Sequence, residues 1–380
     1  MPYAAALSEH RVPAAAIGDV VGAVGEMLGG DRPDVAVLFV TGDHVGALED
    51  MAATVQTLLD PEAFIGATAC GVLAGGHGVE ERPGVALWAG RLPGRARPVH
   101  ISAETTEDGW TFAGLDDALA DAKDLGALVL LADPFSMPVG DLLEGLERAG
   151  ARFPVIGGMA SAARGPGGNR LVIGGRVASH GAVGLVLDSR AAPVTVVSQG
   201  CRPIGQPFTV TSAERQVIRE LAGRPALERL MEIVDRLDPA DRALAAGGLL
   251  CGIVVDEQAL DFDRGDFLVR GVVGADRSNG AIAVAAEVSV GAVVQFHVRD
   301  AATAREDIDA LLSGHEASGA LVFTCNGRGA QMFGDADHDA SAVHDLLGGA
   351  VAGMFCAGEV GPVAKRNVIH GFTASMALFR

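Results

Sequence analysis

Apolar residues fall into short runs separated by glycine, proline or polar turns, and three segments repeat one order of such runs. The first passes from a strand-like run at Val35–Val40, through a helical stretch at Val45–Leu59, to the glycine-rich FIGATACGVLAGG that starts at Phe64. The second has Ala127–Leu131 as strand, Val139–Ala149 as helix and then PVIGGMASAARG from Pro154. The third has Ala320–Thr324, Ala340–Leu347 and AVAGMFCAGEVGP from Ala350. In each, about 30 residues run from the strand to the glycine after the second strand, the span of one strand–helix–strand unit. The period between units is not constant, so the pattern predicts divergent duplicated units and not a solenoid.

Between the units lie further β-branched or alternating runs bounded by glycine or proline. Val85–Ala89 with Pro98–Ser102, and Arg170–Ile173 with Gly181–Leu187, read as hairpins. From Thr211 to Leu237 the apolar period shifts towards 3.6, which predicts two helices split at Gly223-Arg224-Pro225, with Thr211 or Ser212 as N-cap. The polar DPADRA stretch after Leu237 marks a domain boundary, giving domains at 30–238 and 239–380. Beyond it, Leu249–Val255, Asp266–Val273, Gly280–Val284 and Val293–Val298 follow in quick succession. Close strands joined by short turns predict largely antiparallel and mixed sheets flanked by helices, an α+β fold and not a simple doubly wound one.

Composition narrows the class. The chain has 380 residues, 49% of them hydrophobic, 52 of them glycine, with a mean hydropathy of +0.31. That is too apolar for disorder, yet charged residues interrupt every stretch long enough to span a membrane. A net charge of −19 without a basic stripe excludes nucleic acid and disfavours anionic lipid. Five scattered cysteines with no CxxC pair predict neither a disulfide framework nor a zinc site, and no cofactor is implied. The N-terminus lacks a signal-peptide pattern, and the expectation is a cytoplasmic protein.

No standard catalytic motif is present, whether GxGxxG after a first strand, GxxxxGK[ST], HExxH or GxSxG. Polar residues at strand ends stand out instead. Arg202 in SQGCRPIG can receive a carboxylate or phosphate bidentately, or form a salt bridge between domains. In FHVRDA, Asp300 caps the next helix, and Arg299 is left as a site candidate. In FTCNGRG, Cys325 lies near Asn326 and Arg328, where cationic charge would lower a thiol pKa; a buried inert thiol is the plainer reading. The GRG fragment reads as a tight turn with an outward guanidinium. Glu359, between glycines after an apolar strand, is costly unless paired, and Arg328 is its natural partner. His370 and Thr373 sit near the start of the last strand.

These residues carry a resemblance. TCNGRGAQMFG (Thr324–Gly334), FCAGEVGP and NVIHGFTASMAL resemble the C-terminal part of the FIST family, as do SQGCRPIG, GDFLVR (Gly265–Arg270) and QFHVRDA. GGMAS (Gly157–Ser161) and IGATACGVLAGG are similar to its N-terminal part, so the resemblance spans about residues 34–375. It implies a small-ligand sensory module, with amino acids or related metabolites as proposed ligands and no established reaction. The fused kinase, cyclase, methyl-accepting or F-box partners of other members have no room here, so a separate signalling partner or an oligomer is expected.

The leading expectation is therefore a ligand-binding sensory protein. Its pocket is lined by Arg202, Arg299, Cys325, Asn326, Arg328, Glu359, His370 and Thr373, and takes an amino acid or related anionic metabolite. The alternatives are an enzyme with Cys325 as nucleophile assisted by His370 or Glu359, and a non-catalytic scaffold.

Overall fold

The computed structural model describes residues 2–107, 109–119, 124–255, 262 and 265–380. Strand makes up 44% and helix 25%, in mixed and antiparallel sheets, an α+β fold as expected. Two compact units divide the chain. One holds residues 1–197, 308–369 and 373–380; the other holds 198–307 and 370–372.

The first unit is built from three repeats. In the first, β1 (Tyr3–Ser8) and α1 (Pro13–Met27) precede β2 (Val35–Thr41), α2 (Leu48–Leu58) and β3 (Ala63–Ala69). A short hairpin, β4 (Gly71–Ala74) and β5 (His77–Glu80), leads to the return strand β6 (Val85–Gly90). The second repeat follows the same order. It runs through β7 (Ala96–Thr106), β8 (Gly109–Ala113), α3 (Leu115–Leu119), β9 (Leu125–Ala132), α4 (Val139–Arg148) and β10 (Val155–Met159). Then come the hairpin β11 (Leu171–Ile173) and β12 (Arg176–Ala178), and the return strand β13 (Ala182–Asp188).

The third repeat opens with β14 (Val194–Gln199) and is interrupted by the second unit. That insertion comprises β15 (Cys201–Glu214), β16 (Val217–Leu221), β17 (Arg224–Pro225), α5 (Ala226–Arg236), α6 (Pro239–Ala246), β18 (Leu249–Val254), β19 (Phe267–Asp276), β20 (Ala281–Val284) and β21 (Val293–Arg299). The repeat resumes with α7 (Ala301–Leu312), β22 (Gly319–Cys325), α8 (Gly329–Phe333), α9 (His338–Leu347) and β23 (Ala350–Cys356). Its hairpin is β24 (Glu359–Val363) with β25 (Arg366–His370), and its return strand is β26 (Thr373–Phe379).

All three expected strand–helix–strand units are present, and each pairs its two strands in parallel: β2 with β3, β9 with β10, β22 with β23. Each return strand lies antiparallel on the first strand of its own repeat, β6 on β2, β13 on β9 and β26 on β22. The hairpins do not stay home. β4 pairs with β23, β24 pairs with β10, and β11 pairs with β3, so each repeat lends its hairpin to the sheet of another. The exchange closes in a cycle and covers the outer edge of every parallel pair, which would otherwise present unpaired backbone groups.

Burial explains why these runs are strands. Outward side chains of the first sheet pack under α1 and α2, as Val20, Val24, Met51 and Val55 meet Leu38, Phe64 and Leu87. Inward side chains of all three sheets share one core, with Val37, Phe39, Val129, Leu131, Leu321 and Phe323. Phe39 and Phe323 meet edge to face with ring centroids 6.1 Å apart. A strand buried on both faces needs continuous apolar sequence, the pattern these runs show.

The second unit is a barrel. Its sheet runs β15-β21-β18-β19-β20-β16-β17, and β15 also pairs with β16, which closes the ring. Val210, Ile218, Leu221, Val294 and Phe296 form its core with Leu230 and Ile233 of α5.

Several local expectations are corrected. Residues 211–221 are not helical: they form the end of β15 and all of β16, joined by a two-residue turn with Arg215 at φ +52°. Val217, Ile218 and Leu221 fit a helical spacing, but barrel closure buries Ile218 and Leu221 as strand residues. The second helix stands, as α5. DPADRA is no turn; Asp238 caps α6 by accepting the Asp241 backbone N–H at 2.9 Å. The two expected hairpins dissolve as well. Each of their strands exists, but β6 and β7, like β11 and β13, belong to different pairings.

Candidate functional site

The carboxyl ends of parallel strands and the crossings to the lent hairpins coincide, and polar groups gather there. Such strand ends are where open α/β sheets hold ligands. Three crossings matter: Cys70 between β3 and β4, the loop from Ala160 after β10, and Ala357-Gly358 between β23 and β24.

Ser161 ties the three repeats together. Its Oγ accepts the Cys70 backbone N–H at 2.9 Å and donates to the Phe355 carbonyl, while the Cys70 thiol lies 3.4 Å away. Next to this seam, Gly158 is obligatory. A Cβ there would lie 2.2 Å from Cys356 Sγ. Cys325 and Cys356 are register partners at the ends of β22 and β23, so both thiols lie on one face of the sheet.

Glu359 opens β24 and is fully buried. Its Oε2 accepts the Thr373 backbone N–H at 3.1 Å and the Thr373 hydroxyl at 2.8 Å. Its Oε1 has no hydrogen-bond partner of ordinary geometry among the described residues. Burial pushes its carboxyl up to about 7; the Thr373 donors, the Cys325 thiol and the Arg328 charge pull the other way and only partly offset it. Burial above all, then the same carboxyl and the neighbouring thiols of Cys325 and Cys70, raises Cys356 well above the usual thiol value.

Arg328 does not point outwards, nor is Glu359 its partner. The side chain is fully buried and makes a bidentate pair with Asp339, Nε to Oδ2 at 2.7 Å and Nη2 to Oδ1 at 2.8 Å. The reason is local. Arg328 stands immediately before α8, and the chain turns so that α9 brings Asp339 back to it. Thr324 donates its hydroxyl to Asp339, His338 Nδ1 lies 3.0 Å from Oδ1, and the Phe333 ring meets the guanidinium and stacks on the His338 ring. Burial works against both charges, but their mutual attraction wins. Asp339 is held well below the usual carboxylate range and Arg328 above its ordinary value.

Cys325 closes β22, the strand that precedes this turn. The Gly327 backbone N–H points to its Sγ at 3.5 Å, and Asn326 donates its backbone N–H to the Cys356 carbonyl at 2.9 Å. Cys325, Asn326, Arg328, Glu359 and Thr373 thus share the first unit. Arg202, Arg299 and His370 belong to the second. There Arg202 is bridged to Asp241 and, at 2.6 Å, to Asp300. Asp300 also caps α7, accepting the Ala302 N–H at 3.1 Å as expected of it. Arg299 donates to the Gly247 carbonyl at 2.5 Å and lies over the Phe372 ring.

Asp339, Ser161, Cys70 and Cys356 are the site-forming residues that sequence reasoning passes over. Asp339 follows Asp335 and Asp337 in one acidic stretch, and nothing in the chain singles it out. Ser161 and Cys70 do stand inside the GGMAS and IGATACG motifs, which is the signal that was available. Among the described residues, no group of three or more His, Cys, Asp or Glu could hold a metal ion. None of their helices is long and apolar enough to cross a membrane.

A family model described as the FIST N domain matches residues 34–224, and one described as the FIST C domain matches 226–362. An uncharacterized protein of Mycobacterium tuberculosis is 46% identical over 361 residues, 93% of this chain and 93% of the relative. An uncharacterized protein of Mycobacterium bovis is 43% identical over 375 residues, 95% of this chain and 94% of the relative.

Proposed function

The chain belongs to the FIST family, whose domains are recognised as sensory domains, and from that premise we propose a cytoplasmic sensor that holds a small ligand at Glu359. One observation carries this reading. Glu359 is a fully buried carboxylate whose Oε1 has no hydrogen-bond partner of ordinary geometry among the described residues, with the Cys325 thiol as a further neighbour of the carboxyl. An unpaired buried acceptor costs about 1–3 kcal/mol or more, a cost that a ligand donor would remove. The ligand class follows: an amino acid or related metabolite that presents an ammonium or N–H group to Glu359. Arg328 is committed to Asp339, so its role is to hold the Cys325–Arg328 turn and to favour the charged form of Glu359. Binding would reset the glycine-flanked turn at 327–329, where Gly329 has φ +38°, and pass the signal to a protein partner or a second copy. None of the five cysteines is in a disulfide, which fits a reducing compartment.

Calorimetry against a panel of amino acids and amine metabolites tests the reading. Saturable binding that Glu359→Gln weakens at least tenfold is expected. A hit that binds Glu359→Gln as tightly as the parent chain removes Glu359 from the site.

A second reading, enzymatic, is favoured by one contact: the Cys325 thiol hydrogen-bonds towards Glu359, a carboxylate whose pKa of about 7 suits a general base. It requires a mild electrophile at neutral pH to label Cys325 faster than the other four cysteines. Uniform labelling rates refute it.

A further inference from the structure

The barrel unit has a groove that shares no residue with the Glu359 site. It lies between β15 and α5 and encloses about 500 Å³, within the range of roughly 300–1,000 Å³ typical of small-molecule sites. Its charged lining is Arg224, Arg229 and Arg236 against Glu232, in a chain whose net charge is −19. Its apolar lining is Phe208, Ile233 and Leu237.

Sequence spacing builds the helical wall. Arg229, Ile233, Arg236 and Leu237 stand four, seven and eight residues on from the first and share one face of the helix and its end. The facing wall is a bulge in β15, where the register with β21 shifts between Ile204 and Phe208. Gly205 holds that bulge against the helix with φ +67°; a Cβ there would come 2.8 Å from Ile233. Gln295 pins it by donating to the Gly205 carbonyl at 2.9 Å.

The arginines are held in place to different degrees. Arg224 is tied to Glu228 and, at 2.7 Å, to Glu232. Arg229 lies over the Phe208 ring at 5.5 Å, donates to the Leu221 and Ala222 carbonyls and pairs at 3.6 Å with Glu232, which it shares with Arg224. Arg236 is exposed and forms no ion pair among the described residues. A pre-ordered guanidinium stacked on an aromatic ring, a second one without a counter-charge and an apolar floor make a receptor of defined chemistry. We propose that this groove is a second ligand site, for a small organic anion: a carboxylate or phosphate held by Arg236 and Arg229, carrying an apolar body that lies on Phe208, Ile233 and Leu237.

Titration calorimetry of the full chain at low ionic strength tests it, with phenyl phosphate, phenylacetate and octanoate as probes and inorganic phosphate as the control. At least one organic anion is expected to bind saturably, more tightly than inorganic phosphate, and more weakly as salt is raised. Arg236→Glu is expected to weaken that binding at least tenfold with unchanged thermal stability, because the side chain is exposed and forms no ion pair among the described residues. Glu359→Gln is expected to leave it intact, which separates this site from the one proposed above. No saturable binding by any of the three probes overturns the proposal. So does equal affinity in Arg236→Glu, equal affinity for inorganic phosphate, or loss of binding in Glu359→Gln alone.

Discussion

Asp339 and Glu359 are both carboxylates removed from water in the same unit, and they meet opposite fates. Asp339 faces a guanidinium that gives two parallel hydrogen bonds, and it stays charged far into acid. Glu359 faces a hydroxyl, a backbone N–H and a thiol, and its carboxyl is pushed up to about 7. Burial penalises both equally in kind; only the partner differs. Asp339 is therefore a structural anchor with its valences filled, and Glu359 is a group held in readiness, near the edge of its own ionisation at neutral pH.

The largest effect should come from breaking the filled pair. Arg328→Met leaves Asp339 buried without its counter-charge and is expected to destabilise the fold by about 3–5 kcal/mol in denaturant titration. Adding Asp339→Leu should recover much of that loss. A single variant as stable as the parent chain would show that Asp339 finds another partner. The pair's own pH signature lies in acid. Because the folded pKa of Asp339 is depressed, its stabilisation is present above 3.8 and lost as pH falls below that.

Glu359 should show the opposite sign. Its folded pKa is raised from 4.5 to about 7, so the folded state binds more protons between these values, and stability falls as pH rises through that window. Glu359→Gln removes the titration. The stability of the variant relative to the parent chain should rise by about 3 kcal/mol from pH 4.5 to pH 7 and then level off. A pH-independent difference would mean that Glu359 ionises normally in the fold.

Two smaller changes sharpen the contrast. Thr373→Val deletes the hydroxyl donor to Glu359 and is expected to cost about 1–2 kcal/mol above pH 7 and less below pH 5, with the carboxyl pushed further up. Chemical denaturation at the two pH values reads this directly. Arg202→Ala, which opens the partly exposed pairs to Asp241 and Asp300, should cost only about 1 kcal/mol, because water screens them. A cost as large as that of Arg328→Met would show that exposure does not rank these ion pairs.

Legibility followed distance along the chain. The three strand–helix–strand units could be read because each is held within a single stretch and its apolar runs are buried on both faces. The span 211–221 misled because Val217, Ile218 and Leu221 satisfy two periods at once, and barrel closure chose between them. Glu359 was legible as a costly residue between glycines. Its pairing was not, because Arg328, the nearest cation in motif order, is taken by Asp339 on α9, and Thr373 is the donor to Glu359 instead. Cys325, Asn326, Arg328, Glu359 and Thr373 do belong to one unit, and Arg202, Arg299 and His370 to the other.

By itself, the sequence determined the α+β class, the family and the three repeated units. These rest on composition, local periodicity and short motifs, which need no knowledge of what lies across the fold. Tertiary structure alone decided that the hairpins are exchanged in a cycle, that a barrel interrupts the third repeat, and that Arg328 turns inwards. Those outcomes depend on which distant surfaces can bury one another. The charge of a carboxylate depends in turn on the burial and the partner that such packing supplies.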